Sequence, residues 1–244
     1  MSEQPNQNHQ QADPTVVLDR VSLLRDNQPV LHDFTVRLTE HRIGLVGNNG
    51  SGKSSLVRLL NGLLQPATGS VRVGDQDPSD GPESMASQVG FIFQNPDHQL
   101  IFPTVQEELT FGLKNLGLSR SEAESRAQAC LREHEREDWA DRPVHSLSEG
   151  QKQLVCILAV LVMQPQLIVL DEPFSALDLP TRWHLLDWMH SLPQQLLMIS
   201  HDLDTLTDFD RILWLEDGRL RGDGHPNDIL PAYREACRGQ EGRL

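Results

Sequence analysis

The spacing of apolar positions changes several times along this chain, and each change marks an element. Val16, Leu18, Val21 and Leu23, then Val30, Phe34, Val36 and Leu38, alternate with polar residues as half-buried strands do. Residues 43–46 are a short unbroken apolar run that ends at Gly47 and opens into a glycine-rich turn. Leu56, Leu59, Leu60 and Leu63 share one face of a helix predicted over 54–64. Residues 71–73 read as a strand, the Gly, Pro, Ser and Asp residues of 74–84 as a loop, and 90–93 as a buried strand. From Pro96 to Leu147 the pattern is helical and charged, which predicts a separate helical subdomain over about 95–150. A helix over 150–163, an apolar strand over 167–170, a helix over 181–191, a strand over 196–199 and a hairpin around 212–220 complete the order.

Strands alternating with helices specify an α/β fold: a mainly parallel sheet covered on both faces, with the early strands as an attached antiparallel layer. One domain is expected over 14–225, preceded by a polar, disordered tail over 1–13 and followed by a C-terminal extension over 226–244. The Gln- and Asn-rich start has no apolar segment and does not read as a secretory signal. The most apolar window, 154–163, is about half of the roughly 20 residues a membrane-spanning helix needs, so it reads as a core helix.

Composition narrows the function classes. Acidic side chains outnumber basic ones 35 to 21, a formal charge of −14, which opposes binding to nucleic acid or docking on an anionic bilayer. Cys130, Cys156 and Cys237 are far apart and form no C-x-x-C pair, so reduced thiols are expected rather than a disulfide framework or zinc site.

The turn after the first apolar run carries chemistry. Gly47-Asn48-Asn49-Gly50-Ser51-Gly52-Lys53-Ser54 fits G-x-x-x-x-G-K-[ST] between a strand and a helix, and the nucleotide-binding set is extended to Ser55. Glycines let successive backbone N–H groups curl around phosphate oxygens, and the following helix points its positive end at the same anion. Lys53 adds a mobile charge for the β- and γ-phosphates, and the Ser54 hydroxyl suits Mg²⁺. Alone, this loop specifies only a nucleoside triphosphate.

The strand at 167–170 ends in Asp171 and Glu172. Asp171, at the tip, is placed to hold Mg²⁺. Strand alternation would turn Glu172 to the other side, where it could polarise an attacking water. His201 follows the next strand and is expected to hydrogen-bond the γ-phosphate.

Leu147-Ser148-Glu149-Gly150-Gln151 adds a capping-box pattern, Ser148 with Gln151 three residues on, at the start of the 150–163 helix. Together with the phosphate loop, Asp171-Glu172, Ser175-Ala176-Leu177-Asp178, His201 and Gln94, it resembles the ATP-binding cassette family over residues 15–225, with the motifs in family order. The resemblance implies a P-loop NTPase fold with a RecA-like parallel core, and ATP with Mg²⁺ as nucleotide and metal. It makes Glu172 and His201 catalytic, and Ser54, Gln94 and Asp171 metal-associated. Gln94, Ser148, Gly150, Gln151 and Asp178 join the nucleotide set. It also implies a dimer, read as a homodimer, in which the Ser148 helix tip of one copy faces the γ-phosphate held by the other. Two positions depart from the family pattern. Glu149 stands where glycine is usual, which places a carboxylate near a phosphate site, and Arg25 occupies the usually aromatic adenine-stacking position.

Phe93-Gln94-Asn95-Pro96-Asp97-His98-Gln99, Pro103-Thr104-Val105 and Phe111-Gly112-Leu113 resemble the ATPase subunits of energy-coupling-factor transporters. With Asp178-Leu179-Pro180-Thr181-Arg182, the likeness is greatest to those serving biotin uptake, although cobalt and nickel importers share nearly all these features. That resemblance implies a transmembrane scaffold subunit and a substrate-capture membrane subunit as partners, no nucleic acid, and a peripheral place on the cytoplasmic face of the inner membrane. The segment 94–113, with Leu100, Ile101 and Phe102 exposed, would touch the scaffold. A soluble cassette ATPase of DNA repair or translation is the rival reading, and the strong negative charge opposes it.

Overall fold

β1 (Val16–Arg25) and β2 (Gln28–Leu38) form an antiparallel hairpin closed by Asp26 and Asn27, whose φ angles of 50° and 60° suit a two-residue turn. In this computed structural model, residues 16–241 apart from residue 176 are described, so the tail over 1–13 lies outside them. β4 (Thr68–Val73) pairs with β1 to complete a three-stranded sheet in the order β2-β1-β4.

The larger sheet runs β5-β6-β7-β3-β8-β9. β3 (Arg42–Val46), β5 (Val89–Ile92), β6 (Leu167–Asp171), β7 (Gln195–Ile199) and β8 (Arg211–Glu216) are parallel, and β9 (Arg219–Gly224) closes one edge antiparallel to β8. Alternation along the strands feeds two separate cores. Leu167 and Val169 of β6 join the core beneath the three-stranded sheet, while Ile168 and Leu170 join the one on the opposite face. Leu197 and Ile199, against Leu196 and Met198, divide in the same way on β7. A strand buried on both faces must be apolar throughout, which explains the unbroken runs.

α1 (Lys53–Leu60) packs in the first core. It stops short of the predicted 64, because Asn61 and Gly62, with φ of 74°, end it and leave Leu63 exposed. The 74–84 stretch expected as loop holds a 3₁₀ turn and the start of α2 (Pro82–Met85), which exists because Met85 is buried in the same core. α3 (Val105–Asn115), α4 (Arg120–Glu133) and α5 (Glu149–Leu161) enclose a third core. Thr104, Ser119 and Ser148 open these helices with complete capping boxes.

α6 (Leu179–Ser191) covers the second face. α7 (Pro226–Glu241), within the region expected as an extension, lies against β8 and β9 and buries Leu230 and Tyr233 in that core. No helix among the described residues is long and apolar enough to cross a membrane.

Candidate functional site

The strand order sets three C-terminal ends side by side. Ile199 at the end of β7 is flanked by Asp171 of β6 and Leu45 of β3, so the loops after all three strands open at one edge of the sheet. Ligand sites in parallel α/β sheets form outside such carboxyl ends.

The phosphate loop runs from β3 into α1. A Cβ at Gly47 (φ 152°) would sit 2.2 Å from the Leu215 carbonyl oxygen, and one at Gly52 (φ 104°) would lie 3.1 Å from that of Val30. The loop is therefore wedged between β8 and β2, and glycine at both positions is a requirement of space and of φ. Gly52 precedes α1 with no side chain capping it, and the first turn contains no acidic residue. The N–H groups of that turn are thus left to an outside acceptor, the condition for anion binding. Lys53 is buried, and its ammonium donates to the carbonyls of Gly47 (2.6 Å) and Asn48 (3.0 Å). Burial pushes its pKa down while Glu172 and Asp171 push it up. The Ser51 hydroxyl is buried with no hydrogen-bond partner among the described residues. An orphaned hydroxyl, a confined lysine and a cradle that a Cβ would fill together fit a polyphosphate.

Asp171 is raised in pKa, first by burial and then by the charge of Glu172, with Lys53 acting in the opposite sense. Glu172 does not continue the strand as alternation alone implied. Its φ is 49°, an unusual left-handed conformation, and its N–H donates to the Ile199 carbonyl at 3.0 Å. That break, rather than the strand's pleat, aims the carboxylate, and the His201 Nε2 lies 3.0 Å from Glu172 Oε1. Together with Ser175, Met198 and Ser200, both residues line a cavity of about 350 Å³. The Gln94 amide reaches this group from the loop after β5, its Nε2 donating to Ser175 Oγ at 3.2 Å. Ser54 is exposed on the first turn of α1, and Ser55 beside it is buried.

The Ser148 segment lies apart. The capping box is formed: Gln151 N–H donates to Ser148 Oγ at 3.3 Å, and Ser148 N–H to Gln151 Oε1 at 3.0 Å. Ser148, Gly150, Gln151, Asp178 and Thr181 line a cavity of about 460 Å³ to which no residue of 47–55 contributes. Asp178 is the N-cap of α6, accepting from Thr181 N–H at 2.9 Å, and its pKa is lowered by the Thr181 side chain and then by that N–H. A Cβ at Gly150 would lie 2.7 Å from Thr181 Cγ2, so this glycine is needed for close contact of α5 with α6 within one chain, apart from any approach to phosphate. Glu149 is paired with Lys152 (3.3 Å), which also holds Asp97 (2.8 Å), so its carboxylate does not stand alone. Arg25 is exposed at the end of β1.

Sequence reasoning missed the part played by α7. Tyr233 O–H points to Asn48 Oδ1 at 3.5 Å, and Cys237 Sγ lies 3.9 Å from the same atom. The spacing of Leu230, Tyr233 and Cys237 was the available signal for an apolar face on this segment.

A family profile described as ABC transporter matches residues 31–175. The chain is 49% identical over 216 residues to the biotin transport ATP-binding protein BioM of Rhodobacter capsulatus, covering 88% of this chain and 92% of that one. It is 36% identical over 209 residues to the energy-coupling factor transporter ATP-binding protein EcfA1 of Caldanaerobacter subterraneus, covering 83% and 76%. Among solved structures, cbiO1 from Clostridium perfringens, part of the ABC transporter complex cbiONQ, superposes with a TM-score of 0.79 at 27% identity, over 96% of each chain. With a phosphate cradle, an acidic strand end and an Nε2–carboxylate pair converging on one sheet edge, the chain belongs to the ATP-binding subunits of ABC transporters, which are ATPases coupled to transport.

Proposed function

We propose that this chain energises biotin uptake through a membrane transporter of the energy-coupling-factor type, working as a homodimer on the cytoplasmic face of the inner membrane. The identity to the biotin transport protein of Rhodobacter capsulatus supports the cargo over a cobalt or nickel importer of the same type.

The observation that carries the dimer is the separation of two half-sites. The cavity at the start of α5 has a capped helix tip and, among the described residues that line it, none of the phosphate loop. A second copy, turned head to tail, brings the missing half to each. Ser148, Gly150 and Gln151 then face the γ-phosphate, and Asp178 lies at the joint.

Within one site, the loop 47–52 and Lys53 hold the phosphates, with Ser54 and Ser55 on the first turn of α1. Glu172 orients and deprotonates the attacking water, and His201, held against it, donates toward the γ-phosphate. Ser54, Asp171 and Gln94 offer hard oxygen donors and would hold Mg²⁺, Gln94 through its oxygen since its nitrogen donates to Ser175. Bound there, Mg²⁺ neutralises phosphate charge.

The scaffold partner is proposed to dock on 94–113, with Phe93 beside it. Ile101 is 67% exposed, and Phe93 and Phe111 are about two-fifths exposed, at 40% and 38%. Leu100, expected on that surface, packs instead toward the helical core, and Phe102 stacks on Phe111 with centroids 4.8 Å apart. The substrate-capture membrane subunit binds through that scaffold.

The test is uptake of labelled biotin in biotin-requiring cells that carry the chain with its membrane partners. Uptake should be lost with Glu172→Gln. Uptake of cobalt or nickel, with none of biotin, sinks the cargo assignment. Light scattering of Glu172→Gln with ATP and Mg²⁺ should give a dimer, and a monomer at every concentration removes the shared-site reading.

A further inference from the structure

We propose that Tyr233, on the C-terminal helix α7, is a positioning residue of the ATPase: its hydroxyl holds the start of the phosphate loop and so sets the affinity for nucleotide. This goes beyond the shared-site reading and does not depend on the cargo.

Tyr233 is buried, and its ring stands edge-on to Trp214 of β8, centroids 5.4 Å apart at 69°. A phenol clamped in this way has little freedom at its tip. The hydroxyl donates to Asn48 Oδ1 at 3.5 Å and also faces the backbone N–H of Gly47. One turn further along α7, the Cys237 thiol reaches the same Asn48 oxygen at 3.9 Å. The loop residues so touched are those that confine the phosphate-binding lysine. Gly47 and Asn48 supply the two carbonyls on which Lys53 Nζ rests, and the Asn48 carbonyl also accepts from Ser51 N–H at 3.1 Å. A shift at Asn48 therefore moves the lysine and the turn together.

Gly47 has no room to compensate, because it is already pressed against the Leu215 carbonyl of β8. Trp214, which clamps Tyr233, is the neighbouring residue on that strand. Burial and the neighbouring thiol push the phenol up to about 12, so it remains a donor at neutral pH.

The test uses the full-length chain. Tyr233→Phe keeps the ring against Trp214 and removes only the hydroxyl. It should raise KM for ATP about 3- to 10-fold, the worth of one hydrogen bond, with kcat within about twofold and the unfolding midpoint unchanged. In Asn48→Ala the bond to Oδ1 is already gone, so adding Tyr233→Phe should raise KM by clearly less than it does alone. An unchanged KM in Tyr233→Phe, fully multiplicative effects in the pair, or a rise in KM that follows only a fall in the unfolding midpoint would each overturn the proposal.

A second measurement needs no variant. Cys130 and Cys156 are buried and Cys237 is not, so N-ethylmaleimide should label Cys237 first. ATP with Mg²⁺ should slow that labelling severalfold, and the labelled chain should bind ATP more weakly. A labelling rate indifferent to nucleotide, or a labelled chain of unaltered affinity, overturns the link.

Discussion

His201 Nε2 lies 3.0 Å from Glu172 Oε1, although 28 positions of chain separate the two residues (201 minus 172, less one). β6 and β7 are parallel neighbours, and the backbone break at Glu172 swings its carboxylate across to the loop after β7. The pair presents one group that accepts a proton and one that donates a hydrogen bond at the same spot.

Replacing Glu172 with Gln keeps the shape and removes the carboxylate proposed as the base. ATP hydrolysis should fall by about 10²–10⁴-fold while nucleotide still binds. Phosphate release under steady state, alongside calorimetric titration of ATP, checks both halves. Turnover within a few-fold of wild type would remove Glu172 from the role of base.

Gly150 is predicted to answer to Thr181. A methyl at 150 meets Thr181 Cγ2 at 2.7 Å, an overlap that should lower stability by about 1–3 kcal/mol. Thr181→Ser removes that Cγ2 and should return much of the loss in the double variant. Urea unfolding of the four chains gives the result. Equal losses with and without Thr181→Ser would mean that the contact is not the cause.

Arg42 on β3 donates through its guanidinium to the carbonyls of His41 (3.0 Å), Gln194 (2.8 Å) and His190 (2.8 Å), and to that of Leu192. His190 and Leu192 are at the C-terminal end of α6, where carbonyls lack helical partners. Arg42→Met keeps bulk and strands these acceptors, so a loss of about 2–4 kcal/mol is expected from the denaturant midpoint. A loss below about half a kcal/mol would show that water replaces the guanidinium freely.

Glu108 of α3 is buried, and its Oε2 accepts the N–H groups of Ile101 and Phe102, both at 2.9 Å. Burial raises its pKa, outweighing those two bonds. The native state therefore binds a proton more readily than the unfolded chain in the window between the ordinary carboxylate value and the raised one. Stability from this group falls as pH rises through that window and is lowest above it. Glu108→Gln retains an oxygen for both N–H groups without the charge. It should match or exceed wild-type stability at pH 7–8, with the advantage shrinking as pH falls toward 4. A pH-independent difference between the two chains would contradict this.

The phosphate-loop and capping-box patterns were legible along the chain, because their determinants are local. A phosphate loop needs glycines, a lysine and a hydroxyl at fixed offsets, and a capping box needs Ser148 and Gln151 one turn apart. A doubly buried strand needs only a run of apolar residues. These patterns placed β3, β6, β7 and the start of α5 within a residue or two. Short-range periodicity is blunter at helix ends, and so the apolar spacing runs past the end of α1 and gives no signal for the short α2.

Contacts between distant segments have no such local mark. Nothing in the order of residues tells that Gly150 is held small by Thr181, that Lys152 bridges Glu149 and Asp97, or that Tyr233 reaches Asn48. Those relations depend on how helices are laid against the sheet, which burial of three cores settles collectively. The residue types able to grip a triphosphate can be read in one dimension, since each acts through its own backbone neighbourhood. The supports behind them arise from packing in three, where any of many side chains could have filled the same space.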